Sequence, residues 1–219
     1  YWNRPELWSG ALPRANSQSH KYARGHAVVV GGGEMTGAAR LAAGAARRVG
    51  AGMLTIVAPP DAVPVYQAGD PGNLVESVAD SGVFEGVLGE KRRNAVLVGP
   101  GCGLGMTTRR RVHSALRAGL SVVLDADALS VFEAGPEDLF SAIRGPCVLT
   151  PHEGEFGRLF DFTGDKLSRC RAAAQAAGAV VLLKGADTVI AEPGGRAAIN
   201  TGAPAELATA GSGDVLAGI

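Results

Sequence analysis

AVVVGGGEMTGAARLAAGAARRVGAGMLTIVA, residues 27–58, changes its pattern twice. Ala27-Val28-Val29-Val30 is a continuous apolar run, as expected of a strand buried on both faces. Glycines 31 to 33 end it. From Thr36 to Val49 the residues favour helix, with Ala38, Leu41, Ala42 and Ala45 at helical spacing, and Gly50 and Gly52 stop it. Met53–Ala58 is a second apolar run, closed by Pro59-Pro60. Strand, helix, strand is a βαβ unit, and the repeat of that unit sets the fold class: an α/β protein with a mostly parallel sheet.

The same alternation continues outward. Ala95–Val98 precedes the glycine-rich GPGCGLG, residues 99–105, and Thr107 to Ala118 reads as a helix. Ser121–Leu124 is a strand ending in Asp125 and Asp127. Cys147–Thr150 is another, ending in Pro151-His152-Glu153. Leu167–Ala177 is helical, and Val180–Lys184 is a strand followed by Gly185-Ala186-Asp187. Thr188–Ala191 and Ala197–Asn200 flank a Pro-Gly-Gly turn and read as a hairpin. A last helix begins near Gly213. Residues 1–19 have no clean periodicity, interrupted by Pro5, Gly10 and Pro13. They are expected to form a linker or surface strap, with Trp2, Leu7, Trp8 and Leu12 as possible anchors, ahead of one domain at 20–219.

Composition narrows the function. Lys and Arg total 21 and Asp and Glu total 21, so no net charge argues for nucleic acid or an acidic membrane as partner. No run is long enough to span a bilayer. Cys102, Cys147 and Cys170 lie far apart without CxxC spacing, which suits thiols in a reducing compartment, a cytoplasmic location being expected. The arginines at 47, 48, 92, 93 and 109–111 read as solvated faces. The absence of Met at position 1 suggests a piece of something longer.

Polar residues gather where the strands stop: Gly31–Thr36, Gly99–Gly105, Asp125–Asp127, Thr150–Glu153 and Lys184–Asp187. In open α/β sheets ligands bind beyond the strands' carboxyl ends, so this pattern points to an enzyme. Familiar phosphate motifs fail. A P-loop at Gly32–Gly37 has Ala38 and Ala39 in place of Lys and Ser/Thr. The dinucleotide fingerprint fails at Thr36 and again at Met106, and a hydrolase elbow at Ser212 fails at Ala210.

What remains is Ala210-Gly211-Ser212-Gly213-Asp214. Glycines let backbone amides converge on an anion, and a helix starting there adds its positive end. That field is expected to keep Asp214 ionised near neutral pH, ready to take a proton from a hydroxyl attacking a bound phosphate. The alternative is an ordinary N-cap by Ser212 or Asp214. His152 reads as a substrate contact, with structural and metal roles as alternatives. Lys184 can meet a phosphate or simply snorkel from a strand end. Asp125 and Asp127, two apart, would face one side of a strand-like segment. That suits Mg²⁺ through water or a ribose, with helix capping as the alternative.

HKYARGHAVVVGG (20–32), MTGAARLAAGAARRVGAGMLTIVAP (35–59), GPGCGLG, VVLDADALS (122–130), LTPHEGEFGRLF (149–160), VLLKGADTVIAEPGG (181–195) and NTGAPAELATAGSGDVLAGI (200–219) occur in that order. Together they resemble the ADP/ATP-dependent NAD(P)H-hydrate dehydratase family, from about His20 to Ile219. GSGD alone would indicate only the wider ribokinase-like superfamily. The resemblance implies a ribokinase-like three-layer α/β fold, a central mostly parallel sheet flanked by helices. It implies the 6-hydroxylated hydrate of NADH or NADPH as substrate, ADP or ATP as phosphoryl donor, and Mg²⁺. It makes Asp214 the base and Gly211, Ser212 and Gly213 the anion hole. Ala38, Gly103, His152 and Asp214 would touch substrate, and Lys184, Gly185, Ala186, Asp187, Thr188 and Gly213 the nucleotide. An NAD(P)H-hydrate epimerase, fused or separate, and self-association are the implied partnerships. GPGCGLG departs from the family's usual GPGLG. Family members also continue past this point with helices that support the GSGD helix, so the domain is expected to be incomplete at its C-terminal end. A small-molecule hydroxyl kinase on the same fold, or a non-catalytic nucleotide-binding module, would share the base and the anion hole.

Overall fold

The computed structural model describes residues 1–219. Nine strands form one sheet: β1 (His26–Val30), β2 (Met53–Ala58), β3 (Leu74–Ser77), β4 (Ala95–Val98), β5 (Ser121–Leu124), β6 (Cys147–Leu149), β7 (Val180–Leu183), β8 (Thr188–Ala191) and β9 (Ala197–Asn200). Their order is β3-β2-β1-β4-β5-β6-β7-β8-β9. The first seven strands pair in parallel, and β8 and β9 close the sheet as an antiparallel hairpin. The chain runs outward from β1 to β3, then returns to lay β4 on the other side of β1. The strand order therefore reverses between β1 and β4, where a ligand crevice opens in such sheets.

The helices are α1 (Thr36–Val49), α2 (Val63–Gln67), α3 (Ser81–Leu88), α4 (Met106–Arg117), α5 (Asp127–Ser130), α6 (Pro136–Ala142), α7 (Glu153–Leu159), α8 (Lys166–Ala177) and α9 (Ser212–Gly218). They form two layers. One core joins Val28, Val30, Val96, Val98, Leu124, Leu149 and Leu183 to α3 through α8. The other joins Val29, Leu54, Ile56, Ala58 and Leu97 to α1, α2 and α9. The alanines of α1 explain the close seat of α9. With only methyl groups at Ala39, Ala42 and Ala46 on the buried face, the two backbones approach until a Cβ on Gly218 would overlap the carbonyl of Ala42. On this second face the cover thins beyond β5: Val148, Val180, Leu182 and Ile190 are half-buried.

Several elements escaped the sequence pattern. β3 is a half-exposed edge strand carrying Glu76 and Ser77, so it lacks an apolar run. The eight-residue α3 is set by an Asp80 cap that accepts from Val83 N at 2.9 Å. The strap is not anchored as expected. Trp2, Leu7, Trp8 and Leu12 are all exposed. What holds the segment is backbone: Tyr1 and Asn3 exchange hydrogen bonds with Ile199, at 2.9 and 2.8 Å, so the N-terminus lies along β9 and satisfies part of the sheet's open edge. Two of the arginines read as solvated are buried. Arg93 donates to Glu76 and to the carbonyl of Val87, and Arg111 lies over the Phe84 ring. Cys147 and Cys170 are buried and Cys102 half-buried, all as free thiols.

Candidate active site

The predicted binding segments follow β1, β4, β5, β6 and β7, which are consecutive neighbours in the sheet. Their carboxyl ends therefore form one continuous rim. Its floor is the contact between the two glycine segments. A Cβ on Gly32 would overlap the carbonyl oxygen of Gly101, so only backbone fits where these loops cross the switch point. Tyr66 pins the first loop from below by donating to Gly32 O at 2.9 Å.

Asp125 and Asp127 do not face one side. Ala126 between them has φ 48° and ψ −118°, a sparsely populated conformation for a residue with a Cβ. This twist sends the two carboxylates apart. Asp127 starts α5 and accepts from the Gly103 amide at 2.8 Å, fixing the second glycine loop. Asp125, only 2% exposed, turns inward to Lys184, with Nζ at 2.7 Å.

Lys184 is thus the hub of a buried charge cluster. Its ammonium also lies 3.9 Å from Glu155 Oε2, and a Cβ on Gly213 would sit 3.6 Å from it. One cation links the ends of β5 and β7, the first turn of α7 and the start of α9. Glu155 was visible in the sequence only as an acid flanking His152. The His-x-x-Glu spacing of a capping box was the signal that could have singled it out. His152 caps α7: its Nδ1 accepts from the amides of Gly154 and Glu155 at 2.9 and 3.1 Å, while Glu155 returns a carboxylate to the His152 amide at 2.8 Å. The structural role therefore accounts for Nδ1. Nε2 stays on the half-exposed side of the ring, 3.5 Å from Glu155 Oε1.

At the start of α9, Gly211 takes φ 88°, and Leu41 of α1 crowds the position where a Cβ would project, at 2.6 Å. No side chain caps this helix. Ser212 instead donates its hydroxyl to Thr209 O at 2.9 Å. The ordinary capping alternative thus fails, and the Asp214 carboxylate makes no hydrogen bond to the protein. Burial, then the nearby Asp125 charge, raise the Asp214 pKa above the ordinary carboxylate value, with Lys184 opposing them. A carboxylate of raised pKa without a protein partner is a stronger base than a free aspartate.

Ala38 sits half-buried in the first turn of α1. In the segment after β7, Thr188 Oγ1 bonds both the amide and the carbonyl of Gly185, at 3.3 and 2.9 Å, so Lys184 to Thr188 forms a closed turn. Asp187 points away from Lys184 toward Lys166, at 3.0 Å. No three His, Cys, Asp or Glu side chains gather closely enough to hold a metal ion by themselves. An apolar cavity of about 330 Å³ opens at the opposite end of β1 and β4, among His26, Asn94 and Ile219, and contains none of these groups.

Residues 27–219 match the family model described as NAD(P)H-hydrate dehydratase. A bifunctional NAD(P)H-hydrate repair enzyme from Synechocystis is 40% identical over 92% of this chain and 40% of its own length. One from Gloeobacter violaceus is 38% identical over 98% of this chain and 44% of its own. The chain therefore spans about two fifths of the length of these relatives. Among solved structures, the ADP/ATP-dependent NAD(P)H-hydrate dehydratase from Bacillus subtilis, co-crystallized with ATP and Mg²⁺, superposes with a TM-score of 0.82 at 30% identity, over 94% of this chain and 74% of that one. A ribokinase-like superfamily protein from Enterococcus faecalis gives 0.82 at 26% identity, over 94% of this chain and 72% of its own. Sequence and fold agree: the chain belongs to the NAD(P)H-hydrate dehydratase family.

Proposed function

We propose that this chain carries out the nucleotide-dependent dehydration of the 6-hydroxylated hydrate of NADH or NADPH, restoring the normal cofactor while ADP is converted to AMP and phosphate. The observation that carries the reading is Asp214: a base of raised pKa, without a protein partner, at the uncapped start of α9 and beside the Asp125–Lys184 cluster.

The chemistry follows from that placement. Asp214 takes the proton of the ring hydroxyl as its oxygen attacks the terminal phosphorus of the nucleotide, and AMP leaves from ADP. The amides of Gly211 and Gly213, with that of Ser212 once it leaves its 3.4 Å bond to Thr209 O, supply the anion hole for the developing phosphoryl charge. The resulting phosphate ester sits on a carbon next to the ring nitrogen. The nitrogen lone pair expels phosphate, and loss of a proton from the neighbouring carbon restores the double bond. Ala38, Gly103 and His152 hold the nicotinamide end, and the Lys184–Thr188 turn holds the nucleotide phosphates. Asp125 is engaged by Lys184 and Asp127 by the Gly103 amide, and the two carboxylates point apart, so Asp125 or Asp127 would hold Mg²⁺ only through water. The ion would supply positive charge to offset the nucleotide phosphates.

Hydration creates a stereocentre, and a fixed base reaches a hydroxyl on one face of the ring only. An NAD(P)H-hydrate epimerase, fused or separate, is therefore the expected partner. Self-association and a cytoplasmic location complete the proposal. No helix is long and apolar enough to cross a membrane.

The test is the near-ultraviolet absorbance of the dihydronicotinamide, with prepared NADH hydrate and Mg²⁺ plus ADP, ATP or neither. A nucleotide-dependent rise that vanishes in Asp214→Asn is expected. Accumulation of a stable phosphate ester instead would assign the chain to the kinases of this fold.

A further inference from the structure

Lys166 opens α8, where Asp165 caps the helix by accepting from Ser168 N at 2.9 Å. A lysine in a first helical turn is unfavourable against the dipole and ordinarily reaches into water. This one does not reach into water: its side chain is only 13% exposed. Its ammonium donates to Lys184 O at 3.3 Å and to Asp187 Oδ1 at 3.0 Å, and lies 3.6 Å from Glu153 Oε1. Two hydrogen bonds and one longer ion pair thus surround it. The partners come from two separate turns. Lys184 and Asp187 belong to the turn after β7, and Glu153 to the first residue of α7, next to His152. Arg169, one turn further along α8, holds Glu153 from the other side through two bonds of 3.0 and 3.2 Å.

The fit around this ammonium is close. A Cβ on Gly185 would overlap Lys166 Nζ, so the turn wraps the cation with bare backbone. The same contact fixes the Lys184 carbonyl, and with it the backbone from which the Lys184 side chain reaches Asp125.

We propose that Lys166 is a positioning residue for the nucleotide: its ammonium braces the Lys184–Thr188 turn against the His152–Glu153 turn without touching the ligand. This rests on the nucleotide-binding role proposed above for Lys184–Thr188. Held by two hydrogen bonds and an ion pair at 13% exposure, Lys166 acts through the turn it holds. Its loss frees the segment meant to receive phosphate and leaves the base at Asp214 in place.

The experiment uses the 219-residue chain and its Lys166→Met, Lys166→Arg and Asp187→Asn variants. Calorimetry with ADP and Mg²⁺ measures the nucleotide, and turnover with NADH hydrate measures each KM and kcat. Lys166→Met is expected to weaken ADP about ten-fold, the scale of one charge-assisted hydrogen bond lost. The hydrate KM should stay within about two-fold on the same scale. Lys166→Arg, which keeps the charge, should recover part of the loss, and Asp187→Asn should show a smaller version of it. Equal weakening of ADP and hydrate together with a fall in melting temperature would mean that Lys166 only supports the fold, and the proposal would be wrong. Unchanged ADP affinity in Lys166→Met would overturn it as well. If the parent chain binds ADP but converts the hydrate to a stable phosphate ester, the dehydratase reading fails while the ADP arm still decides the role of Lys166. If the parent binds neither ADP nor ATP, the assignment of the turn and this proposal fall together.

Discussion

Replacing Lys184 by Met should be among the most damaging single changes in the molecule. The substitution keeps the length and apolar stem of the side chain but removes the charge. Asp125 and Glu155, with side chains 2% and 7% exposed, would lose the cation at 2.7 and 3.9 Å. Stranding a buried charge by deleting its partner costs about 3–5 kcal/mol, whereas an exposed pair is worth about 1 kcal/mol or less. In a chain of this size each kcal/mol moves the melting temperature by about 2–4 °C. Lys184→Met should therefore melt roughly 6–20 °C below the parent. The assay is urea unfolding followed by circular dichroism, run as a double-mutant cycle with Asp125→Asn. The double variant removes the closest pair of charges and should regain part of the loss, Glu155 being left charged with the His152 amide as its partner. If Lys184→Met alone costs less than about 1 kcal/mol, the cluster behaves as a solvated pair. The claim that one buried cation ties β5, β7, α7 and α9 together would then be wrong.

Other expectations can be checked with the same preparations. Because burial and Asp125 raise the Asp214 pKa, the acid limb of kcat/KM should lie above the ordinary aspartate value, with activity full above it and lost as pH falls through it. Asp125→Asn removes the repulsion and should shift that limb down; an unmoved pH profile would count against Asp214 as the base. His152→Ala should cost about 0.5–2 kcal/mol through the lost cap on α7. His152→Asn keeps a capping acceptor and should restore stability without restoring hydrate affinity; if it restores both, the imidazole is structural only. Gly32→Ala forces a Cβ into the Gly101 carbonyl and should destabilise by about 1–3 kcal/mol, read from the urea midpoint.

The local elements were legible because each writes its own period. The apolar run of Val28–Val30 and the alanine spacing from Thr36 to Val49 gave β1 and α1 nearly to the residue. Glycines and acids after apolar runs marked the carboxyl rim, since such residues end strands for local backbone reasons. β3 was not legible, because a half-exposed edge strand needs no continuous apolar run. The burial of Arg93 and Arg111 was equally hidden, since composition around an arginine does not tell which neighbour will cover it.

By itself, then, the sequence determined the alternation of strand and helix, the rim segments and, through its ordered motifs, the family. Only the tertiary structure decided that Asp125 faces Lys184, 59 positions away, while Asp127 faces Gly103. It also decided that Asp214 has no capping duty and a raised pKa, and that Lys166 braces the turn after β7. The physical reason is the same in each case. Backbone propensity and hydrophobic period are properties of neighbouring residues. The partner of a buried charge is set by strand order and helix packing, which bring together groups that no local pattern connects.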